Sequence, residues 1–519
     1  MGDSNAWFFY DEGITMIKLD DRQLWGNEAG EDEEPSVLAS YFLPQDLFAD
    51  FYDANNPLSI ARAKKGLGKS ALLRHCAYKR AQLQSEIVIQ VKGADLVAAS
   101  NRVASTPEEH IYDWQQRMCY AMNRELGARL GVALSDDAML LVETAELAGF
   151  KERNLIGALL NRLTIKFKGV ELRGPTPAVD HKALLQRASE GRSNVWLFID
   201  DIDATFRRSP DEVLRLSTFF SACRDLAKSF KGVNIRTCVR TDVWASIRRT
   251  DEALDKCEQY IFDIKWSTKQ TGEILARRVG SYLERTEREE LASSASPVLR
   301  RRGDPSLENA KLLGVVFAER FAWGADDYAV TPHRVIHIFS AGRPRWAAQL
   351  CRMAGRESLR MKDHHNKIRL GHIKPTLGEY GRYRLDDLIR EHSHQCPSIA
   401  ALLSSFVRRQ PRYSMIELVE LLQRHLKSDK AVEIDGIQVT DPLSLCSFLF
   451  RIGLLYATIR TGGRSEYVTY EENPDWLRPD VPLPPVESWD IHAAFLAGLG
   501  LRYAPPQIVA SDEADVAKA

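Results

Sequence analysis

Pro57–Arg80 reads PLSIARAKKGLGKSALLRHCAYKR, and the interpretation of this stretch decides the fold. Leu58–Ala61 is a short apolar strand, and a glycine-containing turn follows it. Leu72, Leu73, Cys76 and Ala77 then recur on one side of a helical pattern. Strand, loop and helix in that order are the context in which GxxxxGK[ST] works as a phosphate-binding loop. Its glycines allow a backbone in which successive N–H groups point inward and cradle a β-phosphate. The helix beginning near Lys69 adds its positive N-terminal end. The candidate nucleotide-binding residues are therefore Lys64, Lys65, Gly66, Leu67, Gly68, Lys69, Ser70 and Ala71. Lys69 would reach the β- and γ-phosphates, and the Ser70 hydroxyl would ligate Mg²⁺. Ala63 stands where the pattern has its first glycine, so the match is AxxxxGKS. The later residues make most of the cradle, and binding is expected to survive.

A doubly wound nucleotide-binding sheet needs an acid at the tip of a neighbouring buried strand. Asn194–Phe206 reads NVWLFIDDIDATF, and Val195–Ile199 is a continuous apolar run suited to a central strand. Asp200 and Asp201 fall at its carboxyl end, where open α/β sheets place ligands. Asp200 is the candidate Mg²⁺ ligand, and Asp201 the candidate acid that polarises an attacking water. Asp203 is expected to cap the next helix or to support its neighbours. A third strand, Asn234–Val239, ends in Arg240-Thr241-Asp242, and Arg240 or Thr241 is the candidate sensor of the γ-phosphate. Arg248 and Arg249 precede a last strand at Tyr260–Ile264. They read either as arginine fingers toward a neighbouring subunit or as solvated residues at a helix C-terminus.

Composition narrows the setting. A chain of 519 residues is too long for one core, and 44% hydrophobic with 27% charged residues is ordinary for a globular protein. No stretch approaches the roughly 20 uninterrupted apolar residues that span a bilayer. Eight cysteines without a CxxC pair suit a reducing compartment and argue against structural zinc. With no basic n-region and apolar h-region near Met1, the expected location is cytoplasmic. A net charge of −1 gives the whole chain no electrostatic footprint for nucleic acid. The basic clusters at Arg300–Arg302 and Arg343–Arg369 read as solvated helix faces, leaving DNA open but not favoured.

The order Walker A strand, second strand at Glu86–Val91, Walker B strand, sensor strand and final strand resembles the AAA+ and STAND branch of P-loop ATPases. Ala341–Ala354, AGRPRWAAQLCRMA, looks like the sensor-2 motif of origin-recognition and helicase-loader AAA+ proteins. That resemblance makes Arg343 and Arg345 candidate lid contacts to the γ-phosphate. The set KKGLGKSALL, LFIDDID, CVRTDVW and GRPRWAAQLC is similar to bacterial P-loop ATPases of antiphage-defence islands. Such proteins usually accompany a nuclease or another effector. The implied fold is an α/β P-loop NTPase of the ASCE/AAA+ kind, with a parallel sheet, a helical lid and a C-terminal winged-helix-like α+β module.

The expected domains are an N-terminal extension over 1–40, an ATPase core over 41–267, a lid over 268–365 and a winged-helix-like domain over 366–480. A linker and flexible tail over 481–519 complete the chain. Within the core, 98–193 reads as a mostly helical insertion, with helices at Glu108–Leu130 and Asp137–Phe150 and a strand-like Leu163–Leu172. Helices at Ser398–Phe406, Ser414–Leu426 and Pro442–Ile452 precede a hairpin turning at Gly462-Gly463. The third helix is apolar and nearly free of basic residues, which favours protein contacts over the major groove.

Two functions follow. One is a slowly hydrolysing ATP switch, using ATP and Mg²⁺, that forms homo-oligomers and controls a protein effector, a nuclease among the candidates. The other is a nucleotide-dependent DNA-binding initiator with little hydrolysis. A kinase is disfavoured, because no acceptor-site base is evident.

Overall fold

The computed structural model describes residues 17–27, 30–83, 86–98, 106–129, 194–206, 209–248, 252–323, 328–363, 366–428, 432–461, 464–470, 472–477, 481 and 485–501. The N-terminal segment carries short helices α1 (Arg22–Trp25), α2 (Pro35–Tyr41) and α3 (Ala49–Tyr52). Strand β1 (Leu58–Arg62) leads into α4 (Lys69–Ala81), then β2 (Ile87–Lys92), α5 (Gly93–Ala98) and α6 (Pro107–Arg129). The core continues with β3 (Val195–Asp200), α7 (Pro210–Ser229), β4 (Val233–Val239), α8 (Thr241–Arg248) and β5 (Ile261–Asp263).

These five strands form one parallel sheet in the order β2-β3-β4-β1-β5. The expected sensor strand is β4, which lies between β1 and β3 and pairs Ile235 with Leu58 of β1 and with Leu197 of β3. Residues Val195–Ile199 of β3 and all of β4 are buried, as strands covered by helices on both faces must be. One face is filled by α6 and α7 through Trp114, Met118, Met122, Phe219 and Phe220. The other is filled by α4 and the N-terminal segment through Leu72, Leu73, Phe48 and Phe51. Helix α7 starts where its sequence says it should, with Ser209 capping, Pro210 in the first turn and Asp211 and Glu212 beside the positive end.

Within the stretch 98–193, α6 is the helix expected over Glu108–Leu130. It packs against α7 as part of the core, with the Trp114 indole N–H donating to Arg215 O at 2.9 Å. The expected elements Asp137–Phe150 and Leu163–Leu172 lie outside the described residues. Over the described part of the 1–40 extension, Leu19, Leu24 and Trp25 are buried against the helices that follow Thr268.

The region expected as a lid comprises α9 (Thr268–Arg285), α10 (Glu290–Ser294), α11 (Leu307–Val316), a hairpin of β6 (Phe321–Trp323) and β7 (Tyr328–Val330), α12 (Pro332–Ser340) and α13 (Pro344–Arg360). Then come α14 (Leu370–His392), α15 (Ile399–Ser404), β8 (Arg412–Tyr413) and α16 (Met415–Ser428). The chain continues with β9 (Glu433–Ile434), β10 (Ile437–Gln438), α17 (Pro442–Arg451), β11 (Leu455–Thr461), β12 (Arg464–Val468), β13 (Val486–Ile491) and α18 (Ala493–Leu496). Lid and C-terminal module share one apolar core.

The three helices and the hairpin strands expected near the C-terminus are present. The sheet is larger than expected, with the antiparallel order β12-β11-β13-β8. Residues 486–501 therefore correct the linker-and-tail reading of 481–519. β13 lies between β11 and β8, and Gly498 lies against Gly381 of α14 so closely that a Cβ on Gly498 would sit 2.5 Å from the Gly381 carbonyl carbon. Residues 502–519 are outside the described part.

No described helix is long and apolar enough to cross a membrane.

Candidate phosphate-binding site

The loop between β1 and α4 has positive φ at two residues, Gly66 (84°) and Gly68 (100°). Side-chain-bearing residues rarely adopt that region, so these two glycines are a torsional requirement. Ala63 has no such need. Its N–H donates to Val239 O at 3.2 Å and prolongs the β1–β4 ladder, so the missing first glycine costs the loop nothing in backbone geometry.

Gly68 forms the N-terminal cap position of α4 and has no side chain to accept the free N–H groups of the first turn. An anion is the natural partner of such donors. The Lys69 ammonium curls back over the loop, donating to Ala63 O at 3.0 Å and Lys64 O at 3.3 Å. Ser70 is half-buried beside it, Lys65 is exposed, and Ala71 is covered by Gly30, where a Cβ would come 3.1 Å from the Ala71 Cβ.

Across the sheet, β3 delivers Asp200 half-buried and Asp201 exposed. Asp201 takes φ 55°, a left-handed geometry that aspartate tolerates better than most residues, and its N–H donates to Asp200 Oδ1 at 3.0 Å. This turn requires Gly93 at the end of β2, because a Cβ there would lie 2.3 Å from Ile202 Cα. The charges of Asp200, Lys69, Asp203 and Asp201 all bear on the Cys238 thiol near the end of β4, after burial has already pushed it up. The loop lysine and the β3 acids thus converge on one end of the sheet. The fold is that of a P-loop NTPase.

Asp203 does not cap the following helix, which Ser209 caps; it supports a neighbouring strand end instead. It is buried, and its Oδ2 accepts the Arg240 N–H at 2.6 Å. Burial raises its carboxyl above the ordinary range, while Lys69 and Arg240 oppose that rise. Arg240, the candidate sensor, spends its guanidinium on Asp242 at 2.7 and 3.1 Å, and Thr241 is half-buried at the start of α8. Arg248 is tied within its own chain to Glu258 at 3.3 Å, and Arg249 lies outside the described residues.

The Gly-Arg-Pro-Arg turn does come to the loop. A Cβ on Gly66 would lie 3.7 Å from Arg343 Cδ and 3.8 Å from Arg345 Cβ. Arg343 is buried, stacks on Trp346 at 4.0 Å and faces Glu391 at 3.8 Å.

One connection had no sequence signal. Lys64 runs from the loop to the C-terminal module, where a Cβ on Gly453 would meet its Nζ at 2.9 Å. It shares a small cavity with Asp242, Arg343, Glu391, His392 and Arg451. Burial, reinforced by Arg343, pushes the Lys64 ammonium down to about 7. Burial likewise lowers His392 to about 4 and His492 to about 3. Between pH 6.5 and those values the unfolded chain binds protons that the folded chain refuses, so acidification favours unfolding. Each histidine can contribute at most about 1.4 kcal/mol per pH unit. Urea midpoints should therefore fall from pH 6.5 to 4. His492 Nδ1 accepts the Ala494 N–H at 3.2 Å, so His492→Asn keeps a cap while removing the titration. That variant should show a shallower pH slope, and an unchanged slope would exclude His492 as a source.

No family model matches the sequence, and no curated protein matches it. Among solved structures, Cdc6p from Pyrobaculum aerophilum is similar at 12% identity and a TM-score of 0.29, covering 83% of this chain and 92% of that one. The Aeropyrum pernix ORC2 protein is similar at 13% and 0.36, covering 86% and 93%. The Thermotoga maritima RuvB Holliday junction branch migration motor is similar at 14% and 0.30, covering 82% and 88%. At such scores the fold assignment rests on the sheet order and loop geometry given above.

Proposed function

We propose that the protein is an ATP-binding switch that hydrolyses ATP slowly, assembles with copies of itself and controls a protein effector in bacterial antiviral defence. The observation that carries the nucleotide reading is the uncapped start of α4 beside Lys69, with Asp200 and Asp201 at the end of β3. These residues fit Mg²⁺-ATP: Ser70 and Asp200 would hold the metal, which neutralises phosphate charge when bound. Asp201 is the group that would orient and deprotonate water. Aspartate is one methylene shorter than glutamate, which supports slow turnover.

The switch reading is supported by the two neighbours of the loop. Arg343 and Arg345 of the lid lie against Gly66, and Gly453 of the C-terminal module lies against Lys64. A change at the phosphates therefore has two routes to the rest of the chain. The effector and the defence role rest on the resemblance of the quoted motifs alone. The DNA-binding alternative gains no support from α17, whose Arg451 is held by Asp435 at 2.8 Å. Light scattering with ATP and then with ADP tests the switch. A larger species with ATP is expected, and one size in both nucleotides would end the assembly reading.

A further inference from the structure

The peptide joining Leu67 to Gly68 ends on a glycine with positive φ. A flip of this peptide rotates ψ of Leu67 and φ of Gly68, and Gly68, with φ 100°, resists that rotation little. A Cβ on Gly68 would touch nothing within 4 Å, so packing does not confine it either. The Leu67 carbonyl does have a partner 199 residues away: the Trp266 indole N–H donates to it at 2.8 Å.

Trp266 is well placed to act as a fixed point. It lies between β5 and the Ser267 cap of α9, at the junction of core and lid. Its ring stands edge-on to Phe48 at 6.1 Å. The next residue back, Lys265, has its carbonyl held by the Gln45 side chain at 3.1 Å. On the lid side, a Cβ on Gly342 would lie 3.4 Å from Trp266 O, so the Gly-Arg-Pro-Arg turn rests on the same residue.

In a trans peptide the C=O and the following N–H point to opposite sides. Anchoring the Leu67 C=O on the Trp266 side therefore turns the Gly68 N–H to the opposite side. We propose that Trp266 is a positioning residue for nucleoside di- and triphosphates, holding the Leu67–Gly68 peptide so that the Gly68 N–H meets the β-phosphate. This rests on the nucleotide reading above. Because Trp266 also carries the lid junction, a lid displaced from the core would release the peptide and weaken the phosphate grip.

The test uses the full chain and isothermal titration with ADP and with AMP, which lacks the β-phosphate. Trp266→Phe keeps an aromatic ring beside Phe48 and removes the donor. It should weaken ADP about tenfold, the scale of one hydrogen bond to a charged group, and leave AMP unchanged. Phe48→Leu loosens the same aromatic contact but spares the N–H, and should keep wild-type ADP affinity even where its urea midpoint falls. Wild-type ADP affinity in Trp266→Phe would overturn the proposal. So would equal losses for ADP and AMP, or an equal loss of ADP affinity in Phe48→Leu. A wild-type chain that binds neither ADP nor ATP would instead overturn the nucleotide reading itself.

Discussion

Lys69→Ala is expected to weaken Mg²⁺-ATP binding at least about a hundredfold, the equivalent of roughly 3 kcal/mol for the loss of charge-assisted hydrogen bonds to phosphate. Lys69 is the first residue of α4, and its ammonium already lies across the loop it would share with the phosphates, on Ala63 O and Lys64 O. Those two carbonyls are ordinary acceptors that water can satisfy once the side chain is gone. The cost to folding should therefore be small. Asp203 loses a nearby positive charge but keeps the Arg240 N–H. Calorimetric titration together with a urea melt separates the two quantities. ATP affinity equal to that of the wild type would sink the phosphate-site assignment, whatever the melt shows.

Asp201→Asn should leave ATP binding within a few-fold and lower turnover by about 10²–10⁴, the range a positioned general base contributes. Asparagine is the appropriate replacement, because Asp201 has φ 55° and asparagine accepts that backbone geometry where alanine is strained. Asp201 is exposed at the tip of β3, whereas Asp203 is buried and bonded to the backbone of Arg240. On the proposed reading the two acids therefore do different work, and Asp203→Asn should act mainly on stability. Phosphate release measured under saturating ATP decides between them. Full turnover in Asp201→Asn, with loss in Asp203→Asn at unchanged binding, would move the base to Asp203.

What could be read from sequence was local. The loop, its helix and the apolar run ending in Asp200 and Asp201 are short segments whose periodicity and order carry their meaning. Residue patterns of this kind reflect constraints between near neighbours, and they located β1, α4, β3 and β4 within one or two residues of where they lie. The Gly-Arg-Pro-Arg motif was legible for a similar reason, as a turn followed by proline in the first helical turn.

β13 shows where such reading stops. VESWDI contains Ser488 and Asp490, which look like surface residues beside a proline-rich segment. Both are buried, and Asp490 is satisfied by Thr458 at 2.9 Å and Arg412 at 2.9 Å, on two different strands. Burial of a carboxylate such as that of Asp490 is acceptable only when distant chain supplies its partners, and a single segment carries no record of them. The same reason hid the packing of Leu19, Leu24 and Trp25 into the lid.

The sequence by itself determined the candidate phosphate loop and the candidate acids, because Gly66, Gly68 and Lys69 are neighbours in one segment and Asp200 and Asp201 in another. The tertiary structure alone decided what holds that cradle. Trp266 reaches Leu67 from 199 residues away, Arg343 packs beneath Gly66, and Lys64 ends in the C-terminal module beside Gly453. Each of these is a contact between residues that only folding brings within a few ångströms.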